Sequence, residues 1–150
     1  MNYGGSGMEK AVIDWIKEHV PRESIIVEFG AGDVSTKELC NDYQLYSIEH
    51  DREWIGKYDS HYIYAPKVDG WYNPHIVDSV FRKVEPYLVI IDGIGRDRIL
   101  NRIDLVQNCK MILVHDTNRD LDRNTAIRLA TELNKMVRFY EDGDFWAVVS

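Results

Sequence analysis

A doubly wound α/β sheet, mostly parallel with helices on both faces, is the fold class that this sequence predicts. Three observations predict it. Five short apolar runs rich in Val, Ile and Leu alternate with segments of helical spacing. The first run ends in a strand–Gly-x-Gly–helix turn, Ile25-Ile26-Val27-Glu28-Phe29-Gly30-Ala31-Gly32-Asp33-Val34-Ser35. The last two runs flank Glu141-Asp142-Gly143-Asp144 and read as an antiparallel hairpin.

The elements follow in order. Residues 1–7, Met-Asn-Tyr-Gly-Gly-Ser-Gly, form a flexible entry. They are either a disordered end or a backbone loop that folds over a ligand, with Ser6 near the next helix. Over 8–19, Val12, Ile13, Trp15, Ile16 and Val20 share one helical face, and Pro21 ends the helix. The first strand and glycine turn come next, then a short helix from Ser35 to Asn41. The second strand, Gln44 to Ile48, ends at Glu49-His50-Asp51. A brief helix spans Arg52 to Lys57, and a third strand His61 to Ala65. Residues 66–74 read as a loop carrying Trp71 and Tyr72. Their rings either stack on a ligand as substrate contacts, or Trp71 tucks into the core and anchors the loop. A helix at 75–84 buries Ile76, Val77, Val80 and Phe81. Tyr87 to Ile91 is the most apolar strand and runs into Asp92-Gly93. Arg96 to Gln107 reads as helical, with Arg96, Arg98 and Arg102 on a solvated face. Met111 to Val114 is the fifth strand, followed by His115-Asp116-Thr117-Asn118-Arg119 and a long helix, Asp120 to Lys135. The hairpin strands are Val137 to Tyr140 and Phe145 to Val149.

The glycine turn suits a nucleoside-like ligand, because glycines let it approach bare backbone. A dinucleotide fingerprint wants a third glycine where Ser35 stands, and Glu28 would repel a pyrophosphate. A nicotinamide dehydrogenase is disfavoured on both counts. A carboxylate attracts a cationic ligand instead, and S-adenosylmethionine carries an ammonium and a sulfonium without a phosphate. Here the sequence resembles motif I of the class I methyltransferases, the acid-x-Gly-x-Gly turn. The resemblance covers nearly the whole chain as one domain, 1–150, and implies their seven-stranded Rossmann-like sheet. It implies S-adenosylmethionine as cofactor, held by Glu28, Phe29, Gly30, Ala31, Gly32, Ser35, Glu49, His50 and Asp92. Glu49 lies about 20 residues past Gly30, where a carboxylate holds a ribose diol; the bland reading is a helix cap.

In open α/β sheets ligands bind beyond the carboxyl ends of the strands. Glu28, Glu49, Asp92 and the His115–Asp116 pair all stand there. Asp92 and Asp116 end strands expected to be neighbours, so an uncompensated pair would raise each other's pKa. Magnesium or manganese would remove that cost, with Asn118 as a third oxygen donor. This arrangement looks like the metal site of the catechol-type O-methyltransferases. Val114-His115-Asp116-x-x-Arg119, with Ile91-Asp92-Gly93 before it, is similar to the polysaccharide-biosynthesis methyltransferases that O-methylate glucuronic acid in xylan. That similarity implies a sugar hydroxyl as acceptor. Arg119 then meets a carboxylate on the sugar or pairs internally with Asp116. A hydroxyl needs a base, and His115 is the natural candidate, with Asp92 second; a strand-end histidine can equally be structural.

The chain has 150 residues with 25 acidic and 18 basic side chains, net charge −7. That balance argues against a nucleic-acid substrate. No apolar run approaches the ~20 residues of a membrane span. Without a secretory signal, and with Cys40 and Cys109 isolated, the chain reads as cytoplasmic. The sequence therefore points to a methyltransferase of a sugar or glycan hydroxyl, alone or as part of a glycan-assembly enzyme. A metal-dependent enzyme acting on a small molecule and a nucleoside-binding domain without catalysis are the competing readings. A nucleobase N-methyltransferase lacks its Asn/Asp-Pro-Pro-aromatic motif, since Asp92-Gly93-Ile94-Gly95 stands in that place.

Overall fold

A seven-stranded sheet carries the molecule, as the alternating runs predict. A computed structural model of the chain describes residues 10–141 and 143–150. The expected flexible entry at 1–7, the start of the first helix and Asp142 of the hairpin turn lie outside the described residues. The strands of the main sheet are β1 (Ile25–Phe29), β2 (Gln44–Glu49), β3 (His61–Tyr64), β6 (Leu88–Ile91), β7 (Met111–His115), β8 (Val137–Tyr140) and β9 (Trp146–Val149). Their hydrogen-bonded order is β3-β2-β1-β6-β7-β9-β8, with the first five parallel and β9 antiparallel to both neighbours. The chain runs outward from β1 to β3 and crosses back to β6. The switch point therefore lies between β1 and β6, where such sheets open a crevice.

Alternation along each central strand feeds two cores. Ile26, Leu88, Ile90 and Leu113 face one side with α1 (Lys10–His19) and α2 (Ser35–Leu39). Val27, Phe29, Val89, Ile91, Ile112 and Val114 face the other, with α3 (Pro74–Lys83) and α4 (Asp120–Leu133). The last carbonyls of α1 are not left bare: buried Tyr43 donates its hydroxyl to Val20 O at 2.8 Å. Asn73 caps α3 by accepting from His75 N, with Pro74 at the first helical position. Asn134 adopts φ 54° and stops α4, so the helix ends at Leu133 rather than at Lys135.

Three expectations change. Residues 66–74 are not a plain loop: Lys67–Val68 (β4) pairs antiparallel with Trp71–Tyr72 (β5) across Asp69-Gly70. Both turn residues have positive φ, 50° and 83°, so the Asp-Gly dipeptide was the readable signal. The expected helix at 96–107 becomes two 3₁₀ turns, Arg96–Asn101 and Ile103–Leu105. Arg102 breaks the run at φ −137°, its guanidinium held by Asp78 and Asp104. The brief helix expected at 52–57 likewise shrinks to a 3₁₀ turn at Arg52–Trp54.

Candidate cofactor turn and strand-end charge cluster

The glycine turn is pressed onto the end of β6. Gly30 sits at φ +96°, and a Cβ there would lie 2.6 Å from Asp92 O and 2.9 Å from Gly93 Cα. Two carboxylates hold the turn. Glu49 accepts from Ala31 N at 3.0 Å through Oε1, and from His50 N and Asp51 N at 2.8 and 2.7 Å through Oε2. Glu28 lies beneath: its Oε2 accepts from Thr36 Oγ1 at 2.6 Å and Ser47 Oγ at 2.5 Å. Thr36 Oγ1 in turn accepts from Gly32 N at 3.0 Å. Both acids are buried, where the sequence suggested a negative rim facing a ligand. Glu49 and the Oε2 of Glu28 are engaged in building the turn. Oε1 of Glu28 and the Ser35 hydroxyl are buried beside it without a hydrogen-bond partner among the described residues. Phe29 is buried in the core, and the His50 and Tyr72 rings meet at a steep angle of 70° with centroids 6.0 Å apart. A cleft of about 470 Å³ borders the turn at Asp33, Val34 and Tyr58.

Burial pushes the Glu28 carboxyl up to about 7, although the Ser47 and Thr36 hydroxyls pull against it. Its contribution to stability is fully present below the ordinary value of 4.5 and is lost as pH rises through about 7. The loss amounts to about 3 kcal/mol. Glu28→Gln keeps the shape and puts an amide nitrogen where the partnerless oxygen stands. Urea denaturation at pH 5 and pH 8 is expected to show the variant gaining about 2 kcal/mol on the wild type between the two, since part of the loss is already complete at pH 5. Parallel pH profiles for the two proteins would mean that Glu28 ionises freely.

At the ends of β6 and β7 the structure gathers Asp92, Arg96, His115, Asp116, Arg119, Asp122 and Asp144. His115 is 5% exposed. Its Nδ1 lies 2.8 Å from Asp92 Oδ1 and its Nε2 2.6 Å from Asp144 Oδ2. Burial alone would lower its pKa, but the bonds to Asp144 and Asp92 and the charge of Asp116 push it up to about 10. At neutral pH the ring is an imidazolium donating from both nitrogens. A general base needs a free lone pair, so the reading of His115 as the base gives way to that of a clamp. Asp144, in the hairpin turn, was not singled out in the sequence. Its partner is remote along the chain, and no local spacing announces it.

Arg96 corrects the solvated-face reading. Its side chain is 13% exposed. It donates to Gly93 O (3.1 Å), His115 O (3.1 Å), Asp116 Oδ2 (2.7 Å) and Asp92 Oδ1 (3.2 Å). Arg119 pairs internally, with Asp122 at 2.8 Å and Asp116 at 3.1 Å, while half its side chain stays exposed. These two arginines lock Asp116 in the left-handed region at φ 59°.

Ligand atoms of Asp92, His115 and Asp116 lie within 4.8 Å of one another, as a metal would need. Asp92 Oδ1, Asp116 Oδ2 and both His115 nitrogens, however, are already engaged by Arg96, Arg119, Asp144 and each other, and the Arg96 guanidinium stands between the two carboxylates. Asn118, the expected third donor, is exposed on the turn. The donor set does not fit magnesium or manganese.

Trp71 and Tyr72 form no stacking surface. They are 8% and 0% exposed, with ring centroids 5.7 and 5.6 Å from Phe29. Tyr72 Oη fills the space that a side chain at Gly93 would take and accepts from Ile94 N. The β4–β5 hairpin thus plugs the core and braces the end of β6.

No protein-family model and no curated protein matches the sequence. Solved structures do. Over 93% of its length the chain is similar to a structure of the E. cuniculi Mtq2–Trm112 complex, responsible for methylation of the eRF1 translation termination factor. The match covers 90% of that chain, with 15% identity and a TM-score of 0.58. The chain is also similar to the MycE methyltransferase of the mycinamycin biosynthetic pathway, solved with Mg and SAH. That match has 12% identity and a TM-score of 0.58, and covers 93% of this chain but 46% of that one. A TehB-like SAM-dependent methyltransferase from Corynebacterium glutamicum matches at 8% identity and a TM-score of 0.55, covering 97% of this chain and 89% of that one. At such identities the likeness speaks for architecture. The described chain has the Rossmann-like fold shared by these S-adenosylmethionine-dependent methyltransferases.

Proposed function

We propose that the chain is a single-domain S-adenosylmethionine-dependent O-methyltransferase whose acceptor is a hydroxyl of a sugar or glycan. One observation carries the cofactor reading. The glycine turn lies at the switch point of the sheet, shaped by acids from two strands, with Glu28 Oε1 and Ser35 Oγ buried there unpartnered. The polar amino-acid end of the cofactor would satisfy both. Glu49 would exchange a backbone donor for the ribose diol. When bound, the cofactor supplies a methyl group activated by its sulfonium.

The sugar acceptor rests on the Val114-His115-Asp116-x-x-Arg119 resemblance. Asp92 receives both its bonds on Oδ1, which leaves Oδ2 to accept the acceptor's hydroxyl proton. The half-exposed Arg119 faces a uronic-acid carboxylate, and rate comes mainly from alignment. The site of action is the cytoplasm, with Cys40 and Cys109 as thiols and a glycan-assembly enzyme as partner. Among the described residues no helix is long and apolar enough to cross a membrane.

A second reading, a nucleoside-binding domain without catalysis, is favoured by the His115 clamp, which removes the natural base. Calorimetry with S-adenosylmethionine and S-adenosylhomocysteine tests the cofactor. Saturable binding is expected for both, and silence at millimolar ligand sinks the proposal. Transfer of labelled methyl to a uronic-acid oligosaccharide then separates enzyme from binding domain. Transfer to protein or nucleic acid instead would correct the acceptor.

A further inference from the structure

We propose that Arg96 is the resident cation of the strand-end site: its guanidinium takes the place between Asp92 and Asp116 that a divalent metal ion would otherwise occupy. The positions of the two aspartates, with His115 beside them, are those of a metal site, and their ligand atoms lie close enough to share one ion. What fills the space is a side chain. Arg96 bonds to Asp116 Oδ2 at 2.7 Å and Asp92 Oδ1 at 3.2 Å, so one delocalised charge bridges the two strand ends.

Two further bonds make this a built feature and not a surface arm that swung inward. Arg96 Nε donates to Gly93 O, two residues past the end of β6, and Nη1 to His115 O, the last carbonyl of β7. The guanidinium is tied to the backbone on both sides, and its planar fork matches this four-acceptor surround. A divalent ion entering here would meet a fixed positive charge within bonding distance of its own ligands. It would also find His115 already engaged at both ring nitrogens. Binding would require Arg96 to leave four acceptors at once.

The chemical consequence concerns the acceptor. A site with a metal binds a vicinal diol by chelation and acidifies it. A guanidinium offers hydrogen bonds and charge, but no open coordination position. Resting on the methyl-transfer reading above, this makes the transfer independent of added metal and insensitive to chelator.

The test is manganese titration of the full chain, followed by calorimetry and by the paramagnetic signal of the free ion. The wild type is expected to show no saturable site at millimolar manganese, and its Tm to be unchanged by EDTA. Arg96→Ala opens the space and leaves Asp92, Asp116 and His115 in place, and is expected to bind manganese at least about tenfold more tightly than the wild type. Arg96→Gln, which keeps a donor near the Nε position for Gly93 O but no charge, serves if the alanine variant does not fold. Micromolar manganese binding by the wild type, or a Tm lowered by EDTA, overturns the proposal. So does a folded variant that binds no better than the wild type. If neither variant folds, the wild-type titration decides alone. S-adenosylmethionine calorimetry on the same sample keeps the two ideas apart. A protein that ignores both ligands counts against the cofactor and for the resident cation.

Discussion

His115→Ala is expected to destabilise the fold by about 2–3 kcal/mol, because it removes the imidazolium that bridges two largely covered carboxylates, while Asp92 keeps its bond from Arg96 and Asp144 its bond from Phe145 N. Asp92 and Asp144 each lose their closest cationic partner, and both side chains are only 10% exposed. The variant also unhooks the hairpin turn from the end of β7, since the bond to Asp144 is a direct tie between them. Urea denaturation measures the loss. The same clamp predicts an alkaline limit. A histidine raised in the fold contributes stability that is fully present below its ordinary 6.5 and disappears as pH rises through about 10. Wild-type stability is thus expected to decline between pH 7 and 10, and that decline is expected to be absent in His115→Ala. The comparison also separates clamp from base. A base can be removed with little change in folding, so a variant that melts like the wild type but has lost turnover would restore the catalytic reading.

Gly30→Ala is expected to cost about 3–4 kcal/mol and to abolish the heat of S-adenosylmethionine binding. The added Cβ meets backbone atoms, Asp92 O at 2.6 Å and Gly93 Cα at 2.9 Å, which cannot swing aside as a side-chain end can. The residue must also hold φ +96°. Gly56→Ala provides the control, because that glycine has φ +83° but open space around it. It carries the backbone term alone, about 1 kcal/mol. If the two variants cost the same, contact between the turn and the end of β6 is not what demands glycine at 30. Tight cofactor binding by folded Gly30→Ala would place the ligand elsewhere.

The elements that could be read from sequence are those whose signal is local. The run Ile25 to Phe29, the glycine turn after it and the alternating hairpin at the end of the chain need only periodicity and turn chemistry, and the sheet contains all three. The Asp69-Gly70 turn was equally local and went unread as a hairpin signal. The strand-end acids were recognised as a group, and the sheet does bring Asp92 and Asp116 together.

By itself, then, the sequence determined the class of sheet, the place of its glycine turn and the meeting of Asp92, His115 and Asp116 at its carboxyl rim. Only the tertiary structure decided what those charges face. Glu28 turns inward to the Thr36 and Ser47 hydroxyls and Glu49 to backbone N–H groups, His115 finds Asp144, and Arg96 fills the gap between two aspartates. The physical reason is range. Periodicity is set by neighbours along the chain, whereas a charge in low dielectric is governed by whichever partner the fold carries to it, and those partners come from distant segments.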